Sequence, residues 1–369
     1  MRKYYIDRIR TVTIVLVVVY HIIYMFNSVA TEGVIGPIMQ AKGLDIVQYL
    51  LYPWFMMILF LLSGMCSNYY LQTHTTKEYV GSRTRKLLVP STIGIFVFGW
   101  AQGYINMAIS HAFETMSDQI PGVVFYLIMC VSGTGVLWTI QVMWIFSMML
   151  ILVRNIEKGY LQRVGKKLGI IGLVLLGILA WGAAQILNTP IIAVYRFGIY
   201  GFAFFAGYFI FAAEETTDTL KKYALWLVGA ACVLGILYAW HDYGRNYAEE
   251  PSVNSPLAIA YGWMMCLAML GAMKRFGNGE TRFLTFMTKR SFGLYVFHYL
   301  ALSACAYYLT QNTELPGAAI YVLTAIAAFL GGLALYEMIS RIPILRFCIL
   351  GIKGGKKECF VTIWYHLEK

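Results

Sequence analysis

Two ionisable side chains, those of Arg10 and His21, fall within the first apolar segment of the sequence, RIRTVTIVLVVVYHIIYMF. In a helix of 3.6 residues per turn they lie roughly 20° apart on one face and about 16 Å apart along the axis. Because a titratable group in lipid costs about 2.5 kcal/mol or more, this alignment predicts a protein-lined or wet interior. Neutral imidazole at His21 is suited to proton transfer near neutral pH. Arg10 is equally explained as an anchor at the lipid headgroups, and Asp7 has the spacing to pair with it.

A second intramembrane histidine, His298, occurs in the segment SFGLYVFHYL, where Tyr295 shares its helix face. A buried histidine bonded to a main-chain carbonyl explains this pair equally well. Further along, Glu337 and Arg341 have the i, i+4 spacing of an ion pair, which we interpret as structural.

A basic cluster, Arg83, Arg85 and Lys86, occurs in EYVGSRTRKLLVP, directly before an apolar helix that we expect to begin near residues 87–90. Guanidinium groups bind phosphate oxygens in a bidentate manner, so this cluster suits a phosphate-bearing or nucleotide-bearing ligand at the membrane surface. Without other evidence, a role in orienting the chain in the membrane explains these charges better.

The composition indicates an integral membrane protein. Apolar residues make up 59% of the chain and charged residues 13%, against about 25% charged residues in soluble domains. Continuous apolar segments favour helices over barrel strands, so we predict an all-α polytopic protein with about ten transmembrane helices. The predicted spans are 11–26, 46–69, 87–109, 136–153, 168–187, 191–212, 223–240, 256–273, 291–309 and 317–339. The apolar segment 123–131 is too short to cross and is interpreted as a loop or re-entrant segment.

The distribution of charge predicts that both termini are cytoplasmic. With this topology, all of the 29 Lys and Arg residues except Lys42, Arg196 and Arg245 fall on the cytoplasmic side. The net charge of +11 is thereby explained as an orientation signal, and no nucleic-acid partner is expected. We expect a multi-pass protein of the cell membrane in contact with membrane lipid, and the first helix is expected to be retained because no cleavage site follows it.

No domain beyond the membrane bundle is predicted. Residues 1–345 form one transmembrane domain, and 346–369 form a short basic cytoplasmic tail. The seven cysteines show no CxxC spacing, so we interpret them as reduced and structural, and no metal site is expected.

Six segments, in order along nearly the whole chain, resemble the integral membrane acyltransferases called acyltransferase family 3. They are YIDRIRTVTIVLVVVYH with Arg10 and His21, FLLSG with Ser63, RTRKLLVP, GFAFFAGY, SFGLYVFHY and SRIPILR. The pattern of the first segment and the histidine of SFGLYVFHY are the specific ones. One expected motif is altered: in GVLWTIQVMW, Val136 and Thr139 replace the usual residue types, so no catalytic role is carried to Trp138 or Gln141.

The resemblance implies transfer of an acyl group, commonly acetyl, from cytoplasmic acyl-CoA to a hydroxyl of an extracytoplasmic glycan or lipid-linked saccharide. It assigns donor binding to arginines such as Arg83 and Arg85, with Lys86 beside them. We expect His21 to act as general base and Arg10 to orient the donor. The polar loop around Tyr247, Glu249 and Glu250 is a candidate for sugar contact.

Two other classes of protein fit ten helices with internal polar residues. A transporter or exporter of a glycan or small metabolite is the main alternative, although the inverted repeats of secondary transporters are not found in the sequence. A receptor or scaffold without catalysis would leave His21 and His298 as packing residues.

Overall fold

The structure is a computed structural model that describes residues 3–30, 33–39, 42–115, 120–188, 195–277, 279 and 281–353. The described residues form helices, and their one strand-like feature is an isolated bridge between Asn188 and Arg196. The helices of more than four residues are α1 (Tyr4–Met25), α2 (Gly43–Leu71), α3 (Thr76–Ile109), α4 (Gly122–Ser132), α5 (Gly135–Glu157), α6 (Tyr160–Lys166), α7 (Ile170–Ala184), α8 (Phe197–Phe211), α9 (Glu214–Lys222), α10 (Ala224–Asp242), α11 (Pro256–Phe276), α12 (Arg282–Asn312), α13 (Gly317–Arg341) and α14 (Pro343–Leu350).

The chain is an all-α polytopic membrane protein, as the sequence predicts. Each of the ten predicted spans coincides with a helix, although residues 191–194 of the sixth lie outside the described part of the chain. Length and composition qualify seven of the described helices as membrane spans, or eight if the bent pair α8–α9 is one span. The count of ten therefore stays a prediction.

The helix α3 begins earlier than predicted. A capping box at Thr75 and Glu78, each bonding to the main chain of the other, starts the helix at Thr76 rather than near residue 87. Pro90 has no N–H to donate to the preceding turn, and a wider π-helical turn at Thr84–Leu88 lies directly before it. The basic cluster consequently lies inside a long helix and not at a helix entry, which corrects that expectation.

The predicted segment 123–131 is the helix α4, so the loop alternative is wrong. The helix has 11 residues, too few to cross a bilayer. It packs closely on α3, because a Cβ at Gly103 would lie 1.7 Å from the carbonyl oxygen of Met129. Val123 and Val131 face outward, at 72% and 73% exposure.

Two of the family-like segments, FLLSG and GFAFFAGY, meet where α2 crosses α8. A Cβ at Gly64 would lie 1.9 Å from the carbonyl oxygen of Phe204, and one at Gly207 would lie 2.0 Å from that of Leu61. Small residues allow such close backbone approach between membrane helices. Gly64 and Gly207 thus allow the backbones of α2 and α8 to pack in close contact.

Ion pairs and hydrogen bonds between segments divide the helix ends into two groups, one at each end of the bundle. Lys3 and Lys274 both pair with Glu214, and Lys166 pairs with Glu215. We call this end, with the pair of Arg290 and Glu337, the basic end. At the far end, the hydroxyl of Tyr49 donates to the carbonyl of Arg245, and Gln185 donates to that of Asn254. Every one of these contacts joins segments predicted to share a side of the membrane, which supports the predicted alternation.

The last described helix, α14, belongs to the bundle. Ile349 and Leu350 are buried, and Gly94 of α3 approaches the carbonyl of Cys348 closely. The predicted tail 346–369 begins inside this helix, and its residues 354–369 lie outside the described part of the chain. The six described cysteines are unpaired, and Cys359 lies outside the described residues.

Candidate active site

A cavity of about 330 Å³, which we call the His21 cavity, lies between α1, α2, α5, α8 and α12. Its walls are aromatic, with polar groups from α3 and from the far-end loop between α10 and α11. The aromatic residues are Tyr20, Tyr24, Tyr52, Trp138, Tyr200 and Tyr299, and the polar ones include Asn106, Asn246 and Glu249. The cavity therefore extends from the imidazole of His21 to the far end of the bundle.

The two intramembrane histidines are in contact. Nε2 of His298 lies 3.2 Å from Nδ1 of His21, and the two ring centroids are 5.1 Å apart. His298 is fully buried, and its Nδ1 lies 2.8 Å from the carbonyl oxygen of Tyr295. His298 therefore bonds to a main-chain carbonyl, as a structural histidine does, and also contacts His21.

Arg10 lies in a different compartment. It lines a small, largely apolar pocket of about 50 Å³, the Arg10 pocket, together with side chains such as Leu59, Cys66 and Met143. Nη2 of Arg10 lies 3.0 Å from Oδ1 of Asp7, so the predicted pair is confirmed. Helix α1 is continuous between Arg10 and His21, which keeps the axial separation of about 16 Å.

The two compartments adjoin, and Tyr295 lines both of them. Its hydroxyl lies 2.8 Å from the main-chain carbonyl of Val136 and 2.8 Å from the hydroxyl of Thr139. Val136 faces the His21 cavity, and Thr139 lines the Arg10 pocket. These two residues are about one helical turn apart, so the Tyr295 side chain and this turn of α5 lie between the two compartments.

The basic cluster is more buried than the sequence indicates. Arg83 is 3% exposed and Lys86 is 7% exposed, so both side chains are enclosed by other parts of the protein. Arg83 stacks on Tyr79, and both residues donate to the hydroxyl of Ser67. Ser67 lies on α2, the helix that also contributes Leu59, Leu62 and Cys66 to the Arg10 pocket.

The loop between α10 and α11 covers the far end of the His21 cavity. Tyr247 is fully buried, and its hydroxyl lies 3.2 Å from that of Tyr20. This anchor presents Asn246 and Glu249 to the cavity, where Asn246 donates to Glu249 over 2.7 Å. Glu250 instead accepts a hydrogen bond from Asn254 and does not line the cavity.

Two other predicted positions lie away from both compartments. Glu337 pairs with Arg290 of α12 at 2.8 Å, so the predicted pair with Arg341 is wrong. Arg341 ends α13, where the chain turns to extended backbone, while α12 packs along the same helix and brings Arg290 within reach. Ser63 is fully buried and lines neither compartment.

Sequence reasoning missed most of the aromatic wall. Tyr20 and Tyr24 flank His21 on α1, and Tyr295 and Tyr299 flank His298 on α12. An i, i+4 pair of tyrosines around each histidine is a signal that the sequence contains. Trp138, to which no role was carried, also lines the cavity. Among the described residues, no three His, Cys, Asp or Glu side chains come together in an arrangement that could hold a metal ion.

The fold and site define a class: a multi-pass α-helical membrane protein with an apolar pocket and a histidine-containing cavity on opposite sides of one internal wall. The acyltransferase domain family, acyltransferase family 3, matches residues 3–337, and the chain belongs to this family. Two curated relatives are each called glucans biosynthesis protein C, one from Escherichia coli (strain SMS-3-5 / SECEC) and one from Shigella boydii serotype 4 (strain Sb227). Each is 21% identical over 388 residues, covering 97% of this chain and 96% of the relative. No solved structure shows a significant match.

Membership of this family shows the class of reaction that the chain catalyses, which is acyl transfer. It gives no support to the transporter or the non-catalytic receptor as alternatives.

Proposed function

We propose that the protein is an O-acyltransferase of the cell membrane that moves an acyl group, acetyl in the simplest case, from acyl-CoA to a hydroxyl of an extracytoplasmic glycan or lipid-linked saccharide. The observation that carries the proposal is the pair of adjoining compartments. One lies towards the basic end and contains Arg10, the other extends to the far end and contains His21, and they share Tyr295.

The Arg10 pocket suits the acyl-bearing arm of the donor. It is small and its lining is mainly aliphatic, which suits an apolar acyl chain better than a sugar. Arg10 lines this pocket, and Arg83 bonds to Ser67 of α2, the helix that forms part of the pocket's wall. Arginine binds phosphate oxygens well, so the proposal assigns contact with the nucleotide portion of the donor to Arg83, Arg85 and Lys86.

The His21 cavity suits a saccharide. Tyrosine and tryptophan present an apolar ring with a polar tip, which matches the apolar face and hydroxyl-bearing edge of a sugar. Asn106, Asn246 and Glu249 add hydrogen-bonding groups along the same wall. Both relatives are called glucans biosynthesis protein C, and this name supports a glucan as the acceptor.

The proposed chemistry is general-base catalysis by His21. The acceptor oxygen attacks the carbonyl carbon of the thioester while its proton passes to the imidazole. Collapse of the tetrahedral intermediate breaks the carbon–sulfur bond, and the leaving sulfur takes the proton from the imidazolium. The products are an ester and the free thiol of CoA, and a positioned base contributes about 10²- to 10⁴-fold to such a rate.

The test is acyl transfer by purified protein in lipid nanodiscs, with labelled acetyl-CoA and a glucan acceptor. His21→Ala is expected to abolish transfer while the protein still inserts and unfolds at the wild-type temperature. If this variant transfers acyl groups at the wild-type rate, His21 is not the general base. Failure of the wild-type protein to label any saccharide would overturn the proposed acceptor class.

A further inference from the structure

We propose that His298 is a positioning residue for the reaction. It holds the His21 ring with Nδ1–H directed at His298, and it leaves Nε2 of His21 as the unprotonated, basic nitrogen. The inference rests on the proposed function, since it assigns the supporting group of the proposed base. The geometry that carries it is a chain of hydrogen bonds running from the backbone of α12 to α1.

The first link fixes the tautomer of His298. Its Nδ1 lies 3.0 Å from the carbonyl oxygen of Leu294 and 2.8 Å from that of Tyr295. Carbonyl oxygens only accept hydrogen bonds, so a nitrogen that faces two of them carries the proton. Neutral His298 is therefore protonated at Nδ1, and its Nε2 is a bare acceptor.

The second link fixes the tautomer of His21. Its Nδ1 lies 2.8 Å from the carbonyl oxygen of Val17 and 3.2 Å from Nε2 of His298. Both partners are acceptors once His298 has the tautomer just derived, so Nδ1 of His21 also carries a proton. The lone pair of neutral His21 is then on Nε2, and the hydrogen bond at one ring nitrogen determines the role of the other.

The arrangement is held rigidly. His298 is fully buried, and a Cβ at Gly332 of α13 would lie 3.2 Å from the Cα of His298. Tyrosine rings contact the pair from both helices that contribute to it. They are Tyr20 and Tyr24 of α1 around His21, Tyr295 around His298, and Tyr299 against both, while Glu249 lies in the same cavity.

The contact gains importance when His21 accepts the acceptor's proton. The imidazolium donates its Nδ1–H to a neutral imidazole, and a hydrogen bond from an ionised donor is roughly twice as strong as a neutral one. His298 thus stabilises the charged form of His21 and keeps its ring oriented. A neutral imidazole takes the place that a carboxylate has in a Ser-His-Asp triad.

The test compares His298→Gln, whose side-chain oxygen reaches the position of Nε2, with His298→Asn, whose shorter side chain does not. We expect His298→Asn to lower kcat about 10- to 100-fold, by analogy with the groups that orient metal-ligating histidines, with the KM for acetyl-CoA unchanged. The acidic limb of its pH–rate profile is expected to move to lower pH. His298→Gln is expected to recover most of the rate and the wild-type limb.

His111→Asn is the control, because His111 is exposed and lies in the short connection between α3 and α4. The inference would be overturned if His298→Gln and His298→Asn, at equal thermal stability, had the same kcat and the same acidic limb in the pH–rate profile. Wild-type kinetics in both variants, with His21→Ala inactive, would overturn it while leaving the proposed function intact. Activity in His21→Ala would instead overturn the base on which the inference depends.

Discussion

The hydroxyls of Tyr295 and Thr139 lie 2.8 Å apart in the wall between the Arg10 pocket and the His21 cavity. Tyr295 lines both compartments, so its side chain occupies the place where an acyl group would pass from one to the other. The wall as it stands separates the proposed donor compartment from the proposed base. Under the proposed function, transfer would require the Tyr295 side chain to move, or the thioester to reach past it.

Removal of the Tyr295 side chain from this wall is expected to uncouple cleavage of the thioester from transfer to the acceptor. Tyr295→Ala should increase acetyl-CoA hydrolysis in the absence of acceptor several-fold, because water from the His21 cavity gains access to the thioester. Transfer to the acceptor should fall in the same variant. Thiol release without acceptor measures the first effect, and labelled ester measures the second.

Thr139→Val is the matched variant, since it removes only the hydroxyl partner of Tyr295 and nearly keeps the side-chain volume. We expect a smaller rise in hydrolysis, with transfer largely retained. If Tyr295→Ala leaves hydrolysis at the wild-type rate, the side chain does not separate thioester from water.

The basic cluster is predicted to act in donor binding. Arg83→Gln and Arg85→Gln should each raise the KM for acetyl-CoA about tenfold with little change in kcat, because phosphate contacts bind ground state and transition state alike. Steady-state kinetics at saturating acceptor provides both constants. Lys77→Gln is the control, because Lys77 is an exposed cation on the first turn of the same helix.

Ser67→Ala separates the donor role of Arg83 from its structural role. It removes the hydroxyl to which Arg83 donates and keeps the charge. A KM effect as large as that of Arg83→Gln would show that Arg83 acts through packing around Ser67. A fall in kcat alone in the arginine variants would contradict donor recognition.

The far-end loop is predicted to contact the acceptor. Glu249→Gln should raise the KM for the saccharide and leave donor hydrolysis unchanged, because Glu249 lines the His21 cavity far from the Arg10 pocket. Glu314→Gln is the control, since Glu314 is exposed between α12 and α13 and lines neither compartment. Equal saccharide KM values in the two variants would exclude Glu249 from the acceptor site.

Local patterns account for the features that the sequence predicts well. The helices follow from continuous apolar segments, and the pair of Asp7 and Arg10 follows from helical spacing. The contact of His21 with His298 joins residues 277 positions apart, and no single-helix pattern specifies which helices are neighbours. The same limit explains Glu337, whose partner is supplied by another helix instead of the residue one turn away.

The burial of the basic cluster could be predicted only in part from the sequence. A run of Arg and Lys beside an apolar segment is typical of a helix end at the headgroups. Here the capping box at Thr75 extends the helix outward, and the packing of Arg83 on Tyr79 and Ser67 draws it into the bundle. The packing depends on tertiary contacts between α2 and α3, whereas the capping box of Thr75 and Glu78 is a local pattern that the sequence contains.

Gly64 is predicted to be required for stability rather than for catalysis. A Cβ there would lie 1.9 Å from the carbonyl oxygen of Phe204 and 2.8 Å from the amide nitrogen of Tyr208, and neither backbone atom can move unless α2 and α8 separate. Gly64→Ala should therefore lower the free energy of unfolding by about 1–3 kcal/mol, the usual cost of overpacking. Gly81→Ala in α3 is the opposite case, because a Cβ there meets nothing within 4 Å and an alanine in a helix interior gains about 0.5–1 kcal/mol. Thermal unfolding in detergent, with residual acyl transfer per folded molecule, checks both variants; equal stability of the two would refute the close packing of α2 on α8.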